Sequence, residues 1–278
     1  MASGMWTAAA GAAVQSQNLD LIASNLANAD TNAFKKDLPT FKEYLASVER
    51  DKAAQDIPRG PIKDRELYPI DGRDQSFVVL DGTHTSHKQG HLRVTHDPLD
   101  VAMDGPGFLE VSTPSGIRYT RDGALRVAVD GRLVTRDGYP VLAQESPGLN
   151  NRLPGAASAG PAGRFINLKD AGSPLTINDQ GEIYASEDLV SKLSVVEFGN
   201  VNALRKVGGQ LFEATRGTAG DPSKQTMVRQ GFLEASNVNP IEEMTNMIKA
   251  NRLFEHDLKA LRTYGDLMAK EVNEVGKL

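Results

Sequence analysis

The sequence contains no cysteine, which excludes a disulfide framework and any thiolate metal site. Charge of one sign is also scarce. A formal net charge of -5 over 278 residues argues against nucleic acid as a partner, because phosphate binding calls for a basic face. No hydrophobic run approaches the ~20 residues of a membrane-crossing helix, so stable membrane insertion is not expected. Met1 to Val14 is apolar and alanine-rich but has no lysine or arginine ahead of it, so it does not read as a secretory signal. The chain is therefore expected in the cytosol, or at a site reached without cleavage of a signal. Catalytic signatures are missing as well. There is no G-x-S-x-G elbow, no G-x-x-x-x-G-K-[ST] phosphate loop and no H-E-x-x-H pair. Gly105-Pro-Gly107 is half a dinucleotide fingerprint with proline inside it. No enzyme and no cofactor is expected.

What the sequence does have is periodicity at both ends. Steps of three and four from Met244 land on Met247, Asn251, Phe254, Leu258, Leu261, Gly265, Met268, Val272 and Val275. Eight of these ten positions are apolar in a chain that is 40% hydrophobic, the spacing of a coiled-coil seam. Asn239, Pro240 and Glu242 mark the start as cap, first helical residue and capping-box acid. The same steps from Met5 give Ala8, Ala12, Gln15, Leu19, Ile22 and Leu26. A long helix with one apolar stripe needs a partner along its length, so the two terminal helices are expected to pair. The candidate seam is Met5, Ala12, Leu19, Ile22 and Leu26 with Met244, Met247, Phe254, Leu258, Leu261 and Met268.

The first helix should end near Asn28, where asparagine, aspartate and threonine favour a turn. Asp37 to Val48 reads as a short helix around Phe41, Tyr44 and Leu45. Asp51 to Asp74, with Pro58, Pro61 and Pro69, reads as an extended connector. From Phe77 the texture changes to short Val, Leu, Ile and Tyr runs with glycine turns. Hairpins are expected at Asp122-Gly123, Asp130-Gly131 and Asp179-Gln-Gly181. The expected fold class is α+β: long terminal helices in a coiled-coil-like bundle, and a central all-β domain of short antiparallel strands. The parts are 1–36 and 236–278 for the bundle, 37–76 for the short helix and connector, and 77–235 for the β domain. Within the last, 146–163 is a Gly-, Pro- and Ala-rich insertion.

Two constellations could suggest metal. The Asp-Gly pairs lack the D-x-[DN]-x-[DN]-G spacing of a calcium loop. His84, His87, His91 and His96 would suit zinc by type, but their spacing does not put the rings on one face and no carboxylate is placed behind them. No metal site is expected.

Ala23-Ser-Asn-Leu-Ala-Asn-Ala-Asp-Thr-Asn-Ala-Phe-Lys35 resembles the N-terminal signature N-L-A-N-x-x-T-x-G-F-K/R of the bacterial flagellar rod and hook proteins. Ala33 stands where that family has glycine, so a positive φ would be costly there, and the turn is expected to move the strain to Asn32. Asn25, Ala27, Asn28, Thr31 and Phe34 carry this signature turn in a structural role. The order of motifs continues the resemblance: Pro98-Leu-Asp-Val-Ala102, Gly105-Pro-Gly-Phe-Leu109, Tyr119-Thr-Arg-Asp-Gly123, Gly131-Arg-Leu-Val-Thr135, Gly138-Tyr-Pro-Val141, Gly231-Phe-Leu-Glu-Ala-Ser-Asn-Val238 and Met244-Thr-Asn-Met-Ile248. Met244 to Ile248, with Arg252, Phe254 and Glu255, is most similar to the proximal-rod members.

The resemblance implies a structural subunit of the flagellar basal-body rod, exported without a cleaved signal to the periplasmic space. Its partners would be other rod subunits, copies of itself and the flagellar export apparatus. The terminal helices would pair, pack against those of neighbours and line a tube, with the β domain as an outer layer. Within the family, a distal-rod or hook-type subunit is the alternative. Outside it, a cell-wall glycan-acting enzyme would need an acidic pair in a cleft, and a metal-binding surface adhesin would rest on the histidines alone.

Overall fold

The computed structural model describes residues 2–46, 75–144, 161–169, 174–186, 188–215 and 220–275. The expected connector, 51–74, and most of the expected insertion, 146–160, lie outside the described residues. The chain divides into two compact units: residues 1–24, 38–84 and 241–278 form one, and 25–37 with 85–240 form the other. The fold is α+β, with a helix at each end and a β-rich middle.

The first unit is built on the two helices. Helix α1 spans Ala2–Ala27 and α2 spans Pro240–Val275, beginning at the proline whose fixed φ suits a first helical position. Glu242 and Glu243 lie in the first turn of α2, where negative charge complements the helix dipole. The helices run antiparallel where they meet. A Cβ on Gly4 would fall 2.8 Å from the Tyr264 ring, and one on Gly11 3.0 Å from Asp257 Oδ2, so seven residues forward on α1 match seven backward on α2. Strand β1, Asp37–Ala46, stands where a short helix was expected, and pairs with β2, Gln75–Thr85. Pro39 and the bulky Phe41 and Tyr44 suit an extended chain better than a helix interior. The spacing of three and four from Phe41 to Tyr44 and Leu45 is what suggests a helix in the sequence.

The second unit is a set of small antiparallel sheets. The largest joins β5 (Phe108–Thr113), β6 (Gly116–Thr120), β12 (Val195–Glu197), β13 (Leu204–Gly208), β14 (Leu211–Ala214) and β15 (Asp221–Pro222) in the order β13-β14-β6-β5-β12-β15. A second joins β9 (Leu175–Ile177), β10 (Glu182–Ala185) and β11 (Asp188–Lys192). Three pairs complete it: β3 (Leu92–Val94) with β17 (Phe232–Glu234), β4 (Val101–Asp104) with β16 (Met227–Gln230), and β7 (Leu125–Val127) with β8 (Leu133–Thr135). The apolar core gathers Val101, Met103, Leu109, Val111, Leu133, Val141, Ile166, Ile183 and Leu193. A smaller cluster holds Phe108, Phe198, Leu204 and Phe212, their rings meeting edge to face.

Two of the three expected hairpins form. Asp130-Gly131 turns β7 into β8, with Val127 opposite Leu133 and Gly131 at φ 87°, and Asn178 to Gly181 turns β9 into β10. Asp122-Gly123 does not join a hairpin, because β6 pairs with β5 and β14 rather than β7. Its glycine is needed for another reason: a Cβ there would lie 1.7 Å from the Val101 carbonyl oxygen.

Candidate functional site: a buried ionic knot and two helix faces

The signature turn is fastened by side chains that imitate backbone. Asn25, almost fully buried at the end of α1, donates from Nδ2 to the Asp37 carbonyl at 2.8 Å and accepts on Oδ1 from the Asp37 amide at 3.1 Å. Its amide thus pairs with Asp37 as a neighbouring strand would. Thr31 Oγ1 donates to Asn28 Oδ1 at 3.2 Å, and Phe34 N donates to the Thr31 carbonyl. Phe34 is buried, with Lys206 Nζ 3.8 Å from its ring centroid, a cation–π contact. Lys206 also donates to Asp37 Oδ2 and to the Lys35 carbonyl. Ala27 is exposed.

The strain stays at Ala33 and is not moved to Asn32. Ala33 adopts φ 54°, is buried, and donates from its amide to the Glu234 carbonyl at 2.7 Å. The left-handed backbone costs the alanine about 1 kcal/mol sterically.

Two residues on, Lys35 enters a buried polar centre of the unit. Lys35 Nζ lies 2.6 Å from Glu234 Oε1, and Arg121 Nε lies 2.8 Å from Glu234 Oε2, with side-chain exposures of 0%, 2% and 0% for Lys35, Arg121 and Glu234. Lys35 also donates to the Lys88 carbonyl at 2.7 Å, Arg121 Nη2 to the Gly105 and Met103 carbonyls, and the Gly90 amide to Glu234 Oε1. Asn237 closes the arrangement: its Oδ1 accepts from Lys36 N, and its Nδ2 donates to the Ser86 and Lys88 carbonyls. The signature turn, the Gly105 motif, the Tyr119 motif and the Gly231 motif therefore meet at one point. Two cations share one carboxylate, so the knot carries a surplus positive charge. Burial pulls the Lys35 ammonium down to about 8 from its ordinary 10.5, against the attraction of Glu234. Burial opposes ionisation of Glu234, but Arg121 and Lys35 outweigh it and hold the carboxyl below its usual range.

Two further polar clusters fasten loops. Glu110 Oε2 accepts from Ser194 Oγ at 2.7 Å and from Arg164 Nη2, while Arg164 Nε donates to the Ala143 carbonyl. Glu197 Oε1 accepts from the amides of Lys224, Gln225 and Thr226 and from the hydroxyls of Ser223 and Thr226. Partial burial works against its charge, yet these donors bring its pKa to about 2.

The four histidines do not assemble. His84, His91 and His96 are exposed, whereas His87 packs against Phe108 and Phe212. Among the described residues no group of three or more His, Asp or Glu is placed to hold a metal ion, and no helix is long and apolar enough to cross a membrane.

On α1 the stripe Met5, Ala8, Ala12, Leu19, Ile22 and Leu26 is half-buried or buried throughout. On α2 the shielded positions are Glu243, Met247, Ala250, Phe254, Asp257, Leu261, Tyr264 and Met268, again stepping four and three. Met247, Phe254, Leu261 and Met268 therefore lie on the shielded face, and Leu258 on its half-buried flank. Met244, half exposed at 52%, does not. The face is turned by one residue from the most apolar stripe because the small Gly4 and Gly11 admit Tyr264 and Asp257. Ile241, Met244 and Ile248 are left as a separate exposed apolar row.

Helical ends with apolar faces, and a β unit whose buried polar centre fastens its own backbone, define a structural protein. The family described as flagella basal body rod protein matches residues 5–35, the flagellar hook protein FlgE/F/G D1 domain matches 102–185, and the flagellar basal body rod FlgEFG protein C-terminal matches 229–274. The flagellar basal-body rod protein FlgG of Borreliella burgdorferi is 30% identical over 96% of this chain and 97% of its own length. FlgG of Buchnera aphidicola subsp. Schizaphis graminum is 29% identical over 97% and 98%, and the flagellar basal-body rod protein FlgF of Caulobacter vibrioides 28% over 94% and 93%. The chain belongs to the flagellar basal-body rod protein family, a family of structural subunits and not of enzymes.

Proposed function

We propose that this rod subunit assembles through its terminal helices: α1 and α2 pair in cis as a coiled coil and pack against the helices of neighbouring rod subunits and of copies of this chain, lining a tube. The observation that carries this reading is the double patterning of α2, a shielded stripe at Met247, Phe254, Leu261 and Met268 beside an exposed row at Ile241, Met244 and Ile248. One stripe serves the pairing with α1, supported by the approach of Tyr264 to Gly4 and Asp257 to Gly11. The other presents apolar surface of the kind that marks contacts with other chains. Repeated heterologous contacts of this sort generate a helical tube rather than a closed ring.

The subunit reaches the periplasmic part of the rod through the flagellar export apparatus without cleavage of a signal. Met244 to Ile248, with Arg252, Phe254 and Glu255, supports a place among the proximal-rod members. FlgG and FlgF relatives match at nearly equal identity. Imaging basal bodies from a strain lacking this chain tests both points. Rods truncated at the proximal level are expected, and intact rods would overturn the reading.

A further inference from the structure

The clasp on Glu197 is more than a fastening, because its five donors all point at one oxygen. Around Oε1 stand the amides of Lys224, Gln225 and Thr226 at 3.2, 2.9 and 2.8 Å and the hydroxyls of Ser223 and Thr226, each at 2.8 Å. Successive backbone N–H groups turned to one point form a nest, a concavity that takes anions. The Thr226 hydroxyl is aimed as well: its oxygen accepts from the Gly107 amide at 2.8 Å, which leaves its proton for the carboxylate.

The nest is shaped by more than Glu197. Ser223 N donates to the Val195 carbonyl at 2.9 Å, and directly after Thr226 the chain enters β16, where Met227 pairs with Asp104 of β4. Thr226 is seated on the two glycines of the Gly105 motif: a Cβ on Gly105 would lie 2.8 Å from Thr226 Cα, and one on Gly107 2.8 Å from Thr226 Oγ1. Donors fixed by their surroundings stay aimed when the group they serve is taken away. The site also lies within reach of solvent, since Glu197 and Ser223 are half-buried and Lys224 and Gln225 are exposed. Glu197 is the partner of Asp221 across β12 and β15, a placement in which like charges repel. Against that neighbour and partial burial the donors still hold Glu197 ionised down to about 2. The nest thus tolerates one negative charge beside Asp221, and a second would be penalised.

We propose that residues 223–226 form a carboxylate-binding site of which Glu197 is the tethered occupant, and that a carboxylate from another molecule, a small acid or an aspartate or glutamate side chain, fills it when Glu197 is withdrawn. Two features select a carboxylate. All the donors serve a single oxygen, which suits an acid lying as Glu197 lies, and Asp221 opposes a doubly charged ion such as phosphate. Tethering sets the competition. In the unaltered chain Glu197 stands at an effective concentration on the order of millimolar or more, which keeps the seat closed to dilute acids. The inference rests on the β unit alone and not on the route of assembly.

Chemical rescue tests it. Glu197→Ala removes Cγ, Cδ and both carboxylate oxygens, the heavy atoms of an acetate ion. In the full chain carrying this change, protection of the Lys224 to Thr226 amides at pH 7.5 should fall about tenfold with the loss of their charged acceptor. Sodium acetate should restore it in a saturable way, whereas chloride and phosphate at equal ionic strength should not, and the unaltered chain should not respond. A parallel titration with N-acetylglutamic acid α-amide, which offers only a side-chain carboxylate, separates the sources: rescue by acetate alone marks a small acid as the occupant, and rescue by both admits a side chain of another molecule. Should Glu197→Ala fail to fold, recovery of folded chain on refolding in acetate is the equivalent readout. Absence of rescue by acetate, equal rescue by chloride or phosphate, or an equal response of the unaltered chain overturns the proposal.

Discussion

Removing the one carboxylate of the knot should be far more damaging than removing one of its two cations. Glu234→Gln keeps the shape but leaves Lys35 and Arg121 buried side by side with no counter-charge. Breaking a buried pair in this way costs about 3–5 kcal/mol, a large share of the ~5–15 kcal/mol that holds a domain folded. Lys35→Met leaves a balanced Arg121–Glu234 pair, and the Lys88 carbonyl keeps its bond from Asn237. The loss is then the charge-assisted bond to Glu234, ~1.5–3 kcal/mol, together with the bond to the Lys88 carbonyl, set against relief from burying an extra cation. In a unit of this size, where 1 kcal/mol moves the midpoint by roughly 2–4 °C, Glu234→Gln should lower Tm by about 6–20 °C. Lys35→Met should lower it by less than half as much. The surplus charge also has a pH signature. Because burial holds Lys35 at about 8 and the unfolded value is 10.5, the folded protein releases this proton first, so this lysine adds stability as pH rises from 8 to 10.5. Lys35→Met should remove that increment. Thermal unfolding of the full chain by circular dichroism, at pH 7.5 and across the alkaline window, measures both effects. A Lys35→Met variant as damaged as Glu234→Gln would refute the reasoning.

Other outcomes follow from the remaining features. Ile248→Asp, on the exposed row of α2, should abolish assembly into rods while leaving the helical content of the monomer unchanged; Leu261→Asp, on the shielded face, should lower both, and electron microscopy with circular dichroism separates them. Glu197 is held at about 2 against an ordinary 4.5, so its fastening of 223–226 is complete above pH 4.5 and is lost as pH falls towards 2; amide exchange of Lys224 to Thr226 should show this loss. Ala33→Gly should be nearly neutral, since relief of ~1 kcal/mol of strain is offset by a buried methyl worth ~0.8 kcal/mol, whereas Ala33→Val should cost roughly 1–3 kcal/mol in urea unfolding.

The helices and most hairpins were legible because their signals are local: a repeat of three and four, a proline at a helix start, an Asp-Gly pair in a tight turn. The face of α2 was legible only to within one residue. Its apolar content picks Met244 and Leu258, but the outcome depends on which α1 residues are small enough to admit Tyr264 and Asp257, information that lies some 250 positions away in the chain. Strand β1 was not legible because Phe41, Tyr44 and Leu45 fit a helical spacing of three and four, while β2, the strand it pairs with, lies far along the chain. The knot left the weakest trace. Lys35, Arg121 and Glu234 each sit inside a recognisable motif, yet Lys35 and Glu234 are 199 positions apart and Arg121 and Glu234 are 113 apart, and no spacing rule reaches that far. The density of motifs was the only available hint.

That separation has a consequence for the order in which the molecule can be completed. Until Glu234 has been made, a growing polypeptide holds nearly every strand of the β unit but has two would-be interior cations with nothing between them, which makes early closure unfavourable. Contacts of such range are also slow to form, because a large loop must be closed before they reward it. The last few dozen residues thus act as a seal, and a prematurely terminated chain should stay open and accessible to proteases rather than collapse into a stable fragment.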